Sequence, residues 1–281
     1  MAIKETYQAS MQKMRQERAA AIAADRSWLT LAGLYWLQPG DNAFGAATSN
    51  GLVLPNHAGT SPAVAGRFNF VNGVTTLHAA PGVVLCVNGN PATTQELQPD
   101  AAGAPDLVTL ASLTMVVIKR GARTGIRLYD DASPRRQAFT ELDWFAVDPT
   151  YRIEARFEPY EPAKPITYGN VLGDMVTEEC PGAVVFGWQG TECRLDALPR
   201  GDKLFFNFRD ATNGESTYGA GRFLYTDAPQ DGVVVVDFNQ ATNPYCAYTP
   251  YGTCPLPPVQ NRLPVRIEAG ERNFSLPVTA L

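Results

Sequence analysis

Histidine is almost missing from this chain. His57 and His78 are the two in 281 residues, and both lie in the N-terminal half. A Ser-His-Asp or Cys-His system built on a C-terminal nucleophile would have to recruit one of them from far away in sequence. G-x-S-x-G, a lysine-ending phosphate loop, G-x-G-x-x-G and H-E-x-x-H are all absent. Nucleophile-elbow, nucleotide-binding and zinc-protease chemistry are therefore disfavoured. No run of Lys or Arg exceeds two residues, as at Arg135-Arg136, and the formal net charge is −5, so no nucleic-acid partner is expected. No apolar run approaches the roughly 18 residues that span a bilayer, so no membrane partner is expected. The N-terminal stretch lacks the apolar core of a signal peptide. A cytoplasmic protein is expected, or an exported one whose leader has been removed. Five cysteines are too few for a disulfide scaffold.

What is present reads as mainly β. Residues 4–25 form the one substantial predicted helix, with Tyr7, Met11, Met14, Ala21 and Ile22 near one face, Lys13, Arg15, Glu17 and Arg18 elsewhere, and the alanine-rich run 19–24 adding propensity. This helix (1–27) is expected to pack along a β domain, with an interaction helix as the alternative. From Trp28 onward short β-rich runs alternate with turn signals such as Asn72-Gly73 and Asn88-Gly89. The runs are 29–34, 52–54, 66–71, 75–78, 83–87, 114–119 and 125–128. A second series covers 151–157, 166–171, 183–188, 191–197, 203–208, 222–225, 232–238 and 263–267. The polar link DDASPRR at 130–136 divides a sandwich (28–133) from a second β-rich domain (134–281), sandwich or barrel-like.

The segment from Asp237 to Glu271 has neither helical nor strand period. Asn239, Asn243, Asn261, Cys246 and Cys254 sit among Pro244, Pro250, Pro255, Pro257, Pro258 and Pro264. Ordering such a stretch costs entropy with little apolar burial in return. A buried polar network, a ligand or a metal must compensate. LFFNFRDATNGESTYGAGRFL (204–224) and DFNQATNPYCAYTPYGTCPLPPVQNRLPVRIEAGE (237–271) together resemble the hallmark of domain-of-unknown-function family 1684, found in bacteria and archaea. The resemblance extends weakly back to Trp28 and implies no established activity. Separately, FGAATSNGLVLP (44–55), GRFNF (66–70), VVLCVNGNPA (83–92) and MVVIKRGARTGIRLYD (115–130) resemble the SMAD/FHA (forkhead-associated) sandwich. That family holds phosphothreonine with a Gly-Arg pair and Ser-x-x-His. Here Ala46 follows Gly45 and the second motif reads SPAVAG (61–66), so the resemblance implies a fold without the phosphate fork. A phosphothreonine peptide should bind no better than its unphosphorylated form. A tenfold preference in a calorimetric titration, about 1.4 kcal/mol, would contradict this.

Several residues carry candidate chemistry. Asp210, Thr212, Glu215, Thr217, Tyr218 and Arg222 follow the strand LFFNF and read either as a capped turn or as a polar loop feeding a pocket. Asp237 ends the apolar run VVVV and, if buried, needs a partner, for which Arg222 is the natural choice. Asn239, Asn243 and Asn261 either satisfy stranded backbone groups or contact a ligand. Cys246 and Cys254 read as structural thiols, a disulfide or, weakly, a metal or reactive-thiol site. The first functional expectation is a small-molecule or peptide pocket lined by 210–222 and 237–271, with Asp210, Thr212, Arg222, Asn239, Asn243 and Asn261 as ligand contacts. The alternatives are hydrolase-type acid/base chemistry using Glu215, Tyr218, Asp237 or Glu271, and a protein-interaction module without phosphothreonine recognition. No cofactor and no metal are expected.

Overall fold

The computed structural model describes residues 2–56, 59 and 61–276, with side chains from Thr6 on; His57 lies outside the described residues. Its contacts divide into two compact units, Ile22–Phe139 and Thr140–Leu276, the latter joined by the chain up to Ala21. One helix, α1 (Ala2–Ala23), opens the chain.

The first unit is a two-sheet sandwich. Its strands are β1 (Leu31–Trp36), β2 (Gly40–Gly45), β3 (Leu52–Val53), β4 (Gly66–Val71), β5 (Val74–Ala79), β6 (Leu85–Val87), β7 (Asn90–Ala92), β8 (Thr94–Leu97), β9 (Val108–Leu110), β10 (Leu113–Arg120) and β11 (Arg123–Asp130). One sheet runs β1-β11-β10-β9-β6-β7 and the other β3-β2-β4-β5-β8. Phe44, Phe68 and Leu77 from one sheet meet Leu85, Met115, Val117, Ile126 and Leu128 from the other in a single core. β2 escapes a propensity reading because GDNAFG carries Asp, Asn and two glycines. It is held by the Asn42 side chain, which donates to the Gln38 carbonyl four positions back (2.8 Å) and to the Phe68 carbonyl of the paired strand β4 (3.2 Å).

The second unit is an antiparallel, nearly closed barrel-like sheet in the order β16-β15-β14-β13-β12-β17. The strands are β12 (Arg152–Gly169), β13 (Met175–Trp188), β14 (Thr191–Arg200), β15 (Lys203–Phe208), β16 (Arg222–Asp227) and β17 (Val233–Asp237). Alternate residues point inward: Val184 and Phe186, Leu195 and Ala197, Phe206 and Phe208, Val234 and Val236.

Two readings of this unit need correcting. The runs 151–157 and 166–171 are one strand, β12. Between Pro159 and Lys164 its register against β13 shifts, so Tyr160–Ala163 bulge out. The prolines of EPYEPAKP suit a bulge, where no ladder donor is needed. Residues 263–267 are not a strand. Leu263 and Ile267 are buried in the barrel core as an extended plug. Their apolar residues gave the right burial and the wrong pairing.

Candidate functional site

The first buried charge is Arg222, at the head of β16 and opposite Phe208 in register. Its guanidinium is fully buried and lies 5.3 Å from the Phe208 ring centroid. Nη2 donates to Asp210 Oδ2 at 2.6 Å and to the Ile267 carbonyl at 2.9 Å, and Nη1 donates to the Ala269 carbonyl. Asp210 Oδ1 meanwhile accepts from the Thr212 amide (2.8 Å) and hydroxyl (2.6 Å), closing the turn, and from the Ile267 amide (3.3 Å). Thr212 continues to Thr217 at 2.8 Å. The expected Arg222–Asp237 pair is therefore replaced by Arg222–Asp210. The reason is topological. Asp210 follows the β15 residue opposite Arg222 by two positions, whereas Asp237 ends β17, opposite Arg152.

Asp237 is satisfied from α1. Tyr7 Oη reaches both of its oxygens, at 2.9 and 2.8 Å. The Asn239 amide and side chain (both 3.1 Å) and Gln240 (3.0 Å) complete the shell. Burial, then the hydrogen bond to the Asp237 carboxylate, pushes the Tyr7 phenol well up. Asn239 also clamps the backbone of Asp148, accepting from its N–H at 3.0 Å and donating to its carbonyl at 2.8 Å. Tyr7→Phe should cost about 1 kcal/mol in chemical denaturation and speed hydrogen exchange in the first turns of α1. An unchanged exchange pattern would show that Tyr7 does not anchor the helix.

Glu271 forms the third buried centre. It accepts from the Asn243 amide and side chain, both at 3.0 Å, and from Tyr248 Oη. Arg18 of α1 approaches at 4.0 Å and donates to the Asn243 carbonyl at 2.8 Å. Burial raises the Glu271 carboxyl above its ordinary range and, together with Glu271, lifts the Tyr248 phenol far higher. Glycines precede both buried charges, at Gly221 and Gly270. A Cβ at Gly270 (φ +81°) would lie 2.5 Å from the Ala241 carbonyl oxygen, and one at Gly221 (φ +113°) 2.6 Å from that of Phe208. Only glycine lets the backbone pass there. Gly270→Ala should therefore lower stability by more than about 1 kcal/mol, checked by urea titration.

The other predicted residues scatter. Asn261 is buried and bonds backbone alone: it accepts from the Asp196 N–H (2.8 Å) and donates to the carbonyls of Asp196 (2.9 Å) and Asn207 (3.1 Å). Glu215 is exposed and pairs with Arg266 at 2.7 Å. Tyr218 donates to the Cys246 carbonyl at 3.1 Å. Cys246 and Cys254 are free thiols; the Cys246 amide donates to Cys254 Sγ at 3.2 Å. No group of three or more His, Cys, Asp or Glu among the described residues could hold a metal ion, and no described helix is long and apolar enough to cross a membrane.

Beside Asn261 lies an open groove of about 440 Å3 lined by Tyr160, Lys164, Arg194, Asp196 and Gln260. Asp196 is 3 % exposed and accepts from Tyr160 Oη (2.7 Å) and Gln260 (3.0 Å). Arg194 donates to Tyr160 Oη at 2.9 Å and to Glu158. Lys164 Nζ and the Arg194 guanidinium stand 5.0 and 5.6 Å from the Tyr160 ring centroid.

Residues 137–272 match the family described as Protein of unknown function (DUF1684). An uncharacterized protein of Haloarcula marismortui, solved by NMR, is 32 % identical over 49 % of this chain and 79 % of its own, with a TM-score of 0.41. The chain belongs to the DUF1684 family. Two FHA-domain structures, one from a study of phosphothreonine-dependent FHA interactions, are 15 % and 16 % identical. They cover 34 % and 35 % of this chain and 92 % and 96 % of their own, with TM-scores of 0.25 and 0.23. No curated protein matches this chain.

Asp210, Asp237 and Glu271 of the DUF1684 segment thus anchor three buried centres, apart from the Asp196–Asn261 cluster at the groove. Two of them, Asp237 and Glu271, are completed by helix residues that reading the segment alone misses, Tyr7 and Arg18. Arg18, read as lying off the Tyr7 face, belongs on it: Tyr7, Met11, Met14 and Arg18 recur at steps of four, three and four. The groove residues Tyr160 and Lys164 carried no such signal, because the β12 bulge sets their position.

Proposed function

We propose that the C-terminal unit of this DUF1684 protein binds a small, hydroxylated, anion-bearing molecule in the Tyr160–Gln260 groove. The observation that carries the reading is the convergence of charged and polar groups on one concave surface. Lys164 and Arg194 supply cations for an anionic group, and the Asp196 carboxylate and Gln260 amide supply acceptors and donors for hydroxyls. Asn261 holds the Asp196 backbone on both sides, and Tyr160 and Gln260 hold its carboxylate. The Asp196 side of the groove is thus set before binding. The test is an NMR titration with inorganic phosphate, sugar phosphates, sugar acids and nucleotides at millimolar concentration. Saturable shifts at Tyr160, Lys164, Arg194 and Gln260, weakened about tenfold or more in Lys164→Ala, Arg194→Ala protein, are expected. If no probe moves these resonances, the reading fails.

One observation favours a second reading, acid–base catalysis: Glu271 is a buried carboxyl of raised pKa beside Tyr248. A screen against nitrophenyl esters, glycosides and phosphates decides it. Turnover abolished by Glu271→Gln in folded protein supports catalysis; an inactive wild type against the whole screen removes this reading.

A further inference from the structure

We propose that Cys246 and Cys254 form a reversible dithiol–disulfide pair, with Cys246 as the peroxide-reactive thiol and Cys254 as the thiol that resolves it. The inference is independent of the groove.

Four observations converge on it. The two cysteines are neighbours: Cys254 Sγ accepts the Cys246 amide at 3.2 Å. Amide nitrogen and Cβ share one Cα, so a sulfur that close to the nitrogen is within reach of the Cys246 side chain. A change of side-chain rotamer brings the sulfurs toward the roughly 2.05 Å of a bond. Access is graded in the required order, Cys246 being partly exposed and Cys254 only 5 % exposed. The intervening loop folds back on itself: a Cβ on Gly252 would lie 3.1 Å from the Cys246 Cα and Cβ. The backbone itself thus holds the loop closed, and joining its ends demands little rearrangement. Finally, the surroundings activate one sulfur over the other. The Cys254 thiol, then the Tyr218 hydroxyl, stabilise the Cys246 thiolate, bringing it down to about 7 against burial, while Cys254 is pushed up. A low-pKa accessible thiol beside a resolving thiol is the arrangement that favours reversible over terminal oxidation.

The step balances with a peroxide as oxidant. The Cys246 thiolate attacks one oxygen of hydrogen peroxide. An S–O bond forms, the O–O bond breaks, and hydroxide leaves and takes up a proton as water. Cys254 then loses its proton and attacks the Cys246 sulfur. The S–S bond forms, the S–O bond breaks, and the departing hydroxide takes that proton as a second water. Two thiols lose two electrons in total, and one peroxide gains them. A dithiol reductant reverses the result by exchange. Tyr218 is a positioning residue here: its hydroxyl donates to the Cys246 carbonyl at 3.1 Å and touches no oxidant.

The test uses the full chain. Folded protein is treated with hydrogen peroxide, alkylated, denatured and digested. The peptide between Arg222 and Arg262 contains both cysteines. It should resist alkylation and be lighter by two hydrogens, returning to the alkylatable form after dithiothreitol. Cys254→Ser should halt at a sulfenic acid on Cys246, captured by dimedone, whereas Cys246→Ser should give no dimedone adduct at Cys254. Tyr218→Phe should slow alkylation of Cys246 at pH 7 about threefold and move its pH midpoint upward; circular dichroism separates this from unfolding. Terminal oxidation of Cys246 with Cys254 still reduced would overturn the proposal. So would a Cys254–Cys180 link, or a Cys246 no faster than in urea-denatured protein.

Discussion

Replacing Arg222 by methionine should destabilise the C-terminal unit by about 3–5 kcal/mol. The loss leaves Asp210 Oδ2 buried without its cation and strips a donor from each of the Ile267 and Ala269 carbonyls. Those three acceptors lie on two different chain segments, so the guanidinium is what joins the 210–217 turn to the 267–269 segment. A lysine at 222 keeps the charge but presents no fork, so Arg222→Lys should recover only part of the stability. The double replacement Arg222→Met, Asp210→Leu removes both charges, which often restores stability at a buried pair. Here recovery should be partial, because Asp210 also accepts from Thr212 and Ile267. Urea denaturation measures all three variants. A single-variant loss below about 1 kcal/mol would mean that the pair is not the anchor the geometry makes it.

Glu271→Ala should cost about 3–4 kcal/mol, because it strands the Asn243 amide and weakens the anchorage of Tyr248 and Arg18 together. The more diagnostic variant is Glu271→Gln, which tests charge. Burial raises the Glu271 carboxyl in the folded chain above its unfolded value. Between those two values the folded state binds the extra proton, so this group's contribution to stability falls as pH rises through the window and is constant above it. Acidification through the window should therefore stabilise the wild type relative to Glu271→Gln. Parallel stability–pH curves for the two proteins would refute the raised carboxyl. Arg18→Met should reduce stability less than Glu271→Ala, since the Arg18 side chain is 17 % exposed and Glu271 keeps its Asn243 and Tyr248 partners.

The hallmark segment was legible as one that apolar burial alone could not order, so that a polar network, a ligand or a metal had to compensate. Asp237, Asn239, Asn243 and Glu271 were found from residue type and from the want of any period. Their partners were not. Arg222 was assigned to Asp237 because both bracket apolar runs, but such runs report burial and not neighbourhood. Register decided the matter: Phe208 opposite Arg222 puts Asp210 within reach. Residues 263–267 failed for a similar reason. Leu263 and Ile267 alternate as strand residues do, yet the segment plugs the barrel core beside β15 with bonds such as Leu263 to Arg209 (2.8 Å). Asn261 was read in two ways, and its side chain makes three hydrogen bonds to the backbone of Asp196 and Asn207.

By itself the sequence determined the mainly β character, the one long helix and the need for something beyond apolar burial, a polar network, a ligand or a metal, to order the segment between Asp237 and Glu271. These follow from local periodicity, turn chemistry and the cost of ordering a proline-rich segment, all of which act over a few residues. Only the tertiary structure decided that Tyr7 and Arg18 complete two of the three buried centres, that Arg222 belongs to Asp210, and that a bulge in β12 brings Tyr160 and Lys164 to Asp196 and Gln260. Those contacts join residues as much as 253 positions apart, as Arg18 and Glu271 show. Strand order and register set them, and no local rule of propensity or spacing encodes either.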